Sequence, residues 1–104
     1  MDGIVNIKSR DYWFKIVGFL QQNWALIDLD ESGAVVYFLG DTSGVFDKMK
    51  FPSLEFAEKS LQRNGFSKYD ANQEAQRFIS RPLPPFESSK HPNGRIYSSG
   101  QFWI

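Results

Sequence analysis

Apolar residues along this chain fall into short runs whose spacing changes from helical to alternating and back. In the stretch SRDYWFKIVGFLQQN, Trp13, Ile16, Val17 and Leu20 stand at i, i+3, i+4 and i+7, the spacing of one helix face. Ser9 suits the N-cap of such a helix, and Asp11 suits its first turn, where negative charge is favoured. Phe14 and Phe19 lie off the stripe, so the predicted helix needs a second apolar cover.

The pattern then changes. WALIDLD and AVVYFLGD are β-rich runs joined through Glu31, Ser32 and Gly33, which reads as a hairpin whose glycine can take a positive φ. In VFDKMKF, Val45, Asp47, Met49 and Phe51 alternate with Phe46, Lys48 and Lys50, which adds a third strand. The expected arrangement is an antiparallel meander with one face on helices and the other toward water. Pro52 ends that strand. Ser53 opens a helix through LEFAEKSLQRN with Leu54, Ala57 and Leu61 inward, and Asn64-Gly65 stops it, with Phe66 placed for a Schellman contact. Asp70 and Gln73 read as a capping box for a third helix, with Ala71, Ala75, Phe78 and Ile79 inward, which Arg81-Pro82 ends. PLPPF has extended, polyproline-like character, and ESSKHPNG turns the chain into the aromatic tail RIYSSGQFWI.

The predicted fold class is α+β: a three-stranded antiparallel meander packed against two or three helices, with a C-terminal extended aromatic arm or strand, in a single domain over residues 1–104. Over residues 9 to 64 this order resembles the double-stranded RNA-binding domain. The family implies a lysine-rich start to its last helix. Ser53, Leu54, Glu55 and Phe56 stand there instead, so the phosphate-gripping motif is absent.

Composition narrows the picture further. Twelve Lys+Arg balance twelve Asp+Glu, so no long-range field gathers nucleic acid or an anionic membrane. There is no cysteine, which removes disulfides, thiolate nucleophiles and Cys-ligated metals and makes the cytoplasm the expected compartment. The N-terminal residues lack the basic start and apolar run of a signal peptide, and no run approaches the roughly 18 apolar residues of a membrane span.

Candidate chemistry is sparse. His91, the only histidine, could act as a general base with Asp28 or Asp30, but Lys90-His91-Pro92-Asn93-Gly94 reads more simply as a turn. Asp28, Asp30, Glu31, Asp41 and Asp47 could gather a divalent cation, yet they lack calcium-loop spacing and read as solvated strand-end carboxylates. Gly40 to Gly44 joins two strands and has no P-loop lysine. Ser98-Ser99-Gly100 lacks the G-x-S-x-G elbow. No catalytic residue, cofactor or metal is implied.

What remains is an aromatic surplus of 10 Phe, 4 Tyr and 3 Trp. Tyr12, Phe14, Phe19 and Trp24 need cover, and the tail residues Ile96, Tyr97, Phe102, Trp103 and Ile104 could supply it, line a pocket, or meet a partner. FPSLEFAEKSLQRNGF and HPNGRIYSSGQFW resemble small uncharacterised bacterial accessory proteins, of the mobile-cassette or toxin-immunity kind. That resemblance implies binding of a protein rather than turnover. The first expectation is a non-enzymatic protein that binds a partner protein, with Trp24, Tyr37, His91, Tyr97, Phe102 and Trp103 as candidate contacts and tail exchange between two copies as a route to a homodimer. The alternative is a small apolar ligand in an aromatic pocket between helices and sheet, walled by Trp24, Tyr37, Tyr97 and Trp103.

Overall fold

The structure, a computed structural model, describes residues 3–18 and 21–88, with the side chains of residues 17, 18 and 21 outside that description. In chain order it forms β1 (Ile4–Val5), β2 (Trp13–Gly18), β3 (Gln21–Asp30), β4 (Gly33–Leu39), β5 (Gly44–Phe51), α1 (Leu54–Arg63), β6 (Ser67–Lys68), α2 (Gln73–Phe78) and β7 (Phe86–Ser88). The strands form one mixed sheet in the order β1-β7-β5-β4-β3-β2-β6, antiparallel throughout except for the parallel pair β5 and β7. The predicted three-stranded meander packed on helices is therefore corrected to a seven-stranded mixed sheet with two short helices. The three predicted strands are β3, β4 and β5, in the middle of that sheet.

The largest correction falls at Ser9 to Asn23, where the described residues form no helix. Trp13↔Ala25, Phe14↔Trp24 and Lys15↔Asn23 pair instead as two antiparallel strands. Successive side chains in a strand leave on opposite faces, so Trp13 enters one core and Phe14 the other. Phe14 was off the helical stripe because the segment is a strand with apolar cover on both sides. The expectation that one sheet face lies toward water fails for the same reason.

On the first face, Ala25, Ile27, Ala34, Val36 and Phe38 meet Phe46, Phe51 and Phe66 under α1, which contributes Ala57 and Leu61. The local chemistry of α1 matches its sequence. Ser53 accepts the Phe56 N–H as N-cap, Gly65 N–H donates to Gln62 O, and Phe66 N–H donates to Leu61 O, the paired bonds of a Schellman end. A bulge at Phe38/Leu39, whose partners are Asp47 and Val45, lets Phe46 join Phe38 in this core.

The second face buries Tyr12, Phe14, Trp24, Leu26, Leu39, Val45, Tyr69 and Phe86, with Ala75 and Ile79 packed alongside. Irregular chain covers it, held by side-chain hydrogen bonds. Tyr12 donates its hydroxyl to Pro82 O at 2.6 Å, Tyr69 to Ile79 O at 2.7 Å, and Ser43 to Leu83 O at 2.6 Å. The predicted third helix is shortened to α2. Asn72 caps it rather than Asp70, accepting from Ala75 N–H, and Phe78 points outward at 78 % exposure. The C-terminal arm or strand predicted beyond Ser88 lies outside the described residues. No helix of the described residues is long and apolar enough to cross a membrane.

The Tyr12 strap gives an expected pH dependence. Burial raises its pKa above the ordinary 10.0, while the charges of Arg10 and Arg81 pull the other way. The unfolded chain releases this proton near pH 10 and the folded chain retains it. The associated stability is therefore complete below about pH 10 and is lost as pH rises through the folded pKa. Tyr12→Phe should cost about 1 kcal/mol at neutral pH and flatten the alkaline fall in stability relative to the parent, read from urea unfolding between pH 7 and 11. Parallel curves would contradict the buried, donating phenol.

Candidate functional site

Four of the five carboxylates singled out in the sequence accept hydrogen bonds, while Glu31 stands exposed in the β3–β4 turn. Asp28 accepts the backbone N–H groups of Lys8 and Ser9, both at 2.8 Å, and so fastens the N-terminal segment to β3. Asp30 accepts the N–H and hydroxyl of Ser32 in the β3–β4 turn and pairs with Lys50 at 3.6 Å. The Ser32 bonds hold its carboxyl below the ordinary range. Asp41 accepts Trp24 Nε1 at 2.9 Å and Gln22 N–H at 3.1 Å. Asp47 accepts the Lys48 N–H. These bonds fasten turns and straps while Asp30 and Asp41 stay exposed to solvent, and among the described residues no group of three His, Asp or Glu side chains is placed to hold a metal ion.

Trp24 is fully buried. Its ring lies 5.2 Å from Tyr69, 6.0 Å from Tyr12 and 6.1 Å from Phe14 by centroid, so it presents no surface to a ligand or partner here. Tyr37, by contrast, is half-buried on the second face. His91, Tyr97, Phe102 and Trp103 lie outside the described residues.

Two surface features remain. The first is a cleft of about 560 Å³ on the second face, between β1 and β5, walled by Ile4, Val5, Val45, Tyr37 and Lys48 and closed at one end by Ser88. It forms because β7 is only three residues long and pairs with β5 only at Gly44 and Val45. Tyr37 and Lys48 are cross-strand partners and so share this face. Burial, reinforced by the charges of Asp28 and Asp30, raises the Tyr37 pKa and keeps its phenol protonated at neutral pH. Neither the Tyr37 hydroxyl nor the Lys48 ammonium has a hydrogen-bond or ion-pair partner among the described residues.

The second feature is the outer edge of β2. β6 pairs only with Trp13 and Phe14, so Lys15 to Gly18 have no outer neighbour among the described residues. Ile16 stands there at 65 % exposure. Sequence reasoning missed this edge because it treated the segment as helix, and it missed Lys48 because a strand lysine carries no local signal of what lies opposite. Comparison with protein-family models, with curated proteins and with solved structures finds no match for this chain.

Proposed function

We propose that the protein is a non-enzymatic binding protein that takes a partner protein by strand addition to β2. The observation that carries this reading is the open edge at Lys15 to Gly18 with Ile16 exposed on it. Unpaired edges are templates for another strand, and proteins usually blunt them with charge. β5 has that protection where it runs beyond β7, since Asp47, Lys48 and Lys50 follow one another there. The β2 edge carries one charge, Lys15, followed by Ile16, Val17 and Gly18. Main-chain hydrogen bonds would supply affinity and the exposed isoleucine a contact for the partner's side chains. The cysteine-free composition favours the cytoplasm, and the balanced charge disfavours nucleic acid.

The test compares the parent with Ile16→Lys, which places a charge on an already exposed position. Both variants should melt within about 1 °C of each other, because exposed substitutions change stability little. A partner protein retained from source-cell extract by the parent should be lost with Ile16→Lys, and direct titration of that purified partner should show the same loss. Equal retention by both proteins would contradict the reading.

A further inference from the structure

We infer that the cleft between β1 and β5 is a binding site for a small amphiphilic monocarboxylate, with an alkyl body against Val5, Val45 and the Tyr37 ring and a carboxylate at Lys48. This goes beyond partner binding at β2 and stands independently of it, on the opposite side of the sheet order. The volume, about 560 Å³, is that of ordinary ligand sites, which join apolar walls to a few converging polar groups. Asn6, Asp47 and Ser88 also line the cleft, but the two polar groups set side by side on the β4 and β5 wall are donors. Tyr37 and Lys48 both offer donors, both face the cleft, and neither has an acceptor among the described residues. Two such donors on an apolar wall match a group that only accepts, and a carboxylate is the strongest such acceptor for an ammonium.

The carboxylates nearby have hydrogen-bond partners other than Lys48, although the charges of Asp28 and Asp30 still reach the Tyr37 phenol. Asp28 accepts the N–H groups of Lys8 and Ser9, and Asp30 is held by Ser32 and Lys50. Asp47, on the rim, accepts from the Lys48 backbone and leaves the ammonium of that residue unclaimed. Ile4 and Val5 present aliphatic surface, which suits an alkyl chain.

The experiment titrates the full chain with octanoate, octanol and octylamine by calorimetry, with light scattering on the same samples. Octanoate should bind saturably with one site, and octanol and octylamine about tenfold or more weaker, because each lacks the charge-assisted bond. Lys48→Met should weaken octanoate about tenfold while leaving octanol unchanged, and Tyr37→Phe should weaken it by a smaller factor. Amide shifts on binding should centre on Val5, Val45 and Lys48. Equal binding of octanol, an unaffected Lys48→Met, or no saturable octanoate binding at millimolar concentration would each overturn the assignment. So would heat that tracks self-association in the scattering signal, which would give the cleft to a second copy of the chain.

Discussion

Trp24→Ala is expected to lower stability by about 3–5 kcal/mol, a large part of what a domain of this size possesses. The indole is fully buried, holds edge contacts with Tyr12 and Tyr69, and anchors the β4–β5 turn through Asp41. Truncation leaves a cavity among aromatic rings and removes one of the two donors that Asp41 satisfies. Denaturant unfolding with the midpoint and slope compared against the parent measures this. A loss below about 1 kcal/mol would mean that Trp24 is not a core residue, and would return it to the candidate contacts.

Gly33→Ala should cost roughly 2–4 kcal/mol for a different reason. Gly33 has φ +137°, a conformation that side chains oppose, and a Cβ there would collide with Phe51 O and lie 2.9 Å from Pro52 O. Those are backbone atoms that can move only by shifting β5 away from β4, where Ala34 pairs with Phe51. Gly40→Ala is the control, since a Cβ there meets nothing within 4 Å, and its effect should stay within about 0.5 kcal/mol. Thermal unfolding of the two variants side by side gives the comparison. Equal, small effects would show that the β3–β4 turn does not approach the end of β5 as closely as described.

Those two residues mark what could and could not be read from the chain. Gly33 was legible as a turn glycine because its signal is local, between two alternating runs. The Ser53 cap and the Asn64-Gly65-Phe66 stop of α1 were legible for the same reason. Trp24 was legible as an aromatic needing cover, but its cover comes from Tyr12, Phe14 and Tyr69, which reach it through strand pairing and a distant strap rather than through spacing. The short strands carry no periodicity at all. Ile4↔Glu87 and Ser67↔Phe14 join residues far apart in sequence through segments of two or three residues. Residues 13–18 failed by ambiguity, because Trp13, Ile16 and Val17 satisfy a helical template as well as a two-faced strand. The candidate sites follow the same division. Tyr37 sits in a β-rich run that placed it correctly on a strand. Lys48 gained interest only when pairing set it beside Tyr37, and Ile16 only when its segment became an edge. The partners of Asp28 and Asp41 leave no local signal, because the backbone N–H groups these carboxylates accept lie 19 or 20 residues away.

The account rests most heavily on residues 13–18 being a strand, since the β2 edge exists only in that case. Solution NMR on the full chain tests this directly, through the Cα and Cβ secondary shifts of residues 12–25 and the cross-strand contacts of β2 with β3. The account predicts extended shifts from Trp13 to Gly18 and Gln22 to Asp30, with interstrand contacts for Trp13 with Ala25 and Lys15 with Asn23. Continuous helical shifts from Ser9 through Leu20, with sequential amide contacts and no interstrand ones, would contradict it and remove the proposed binding edge with it.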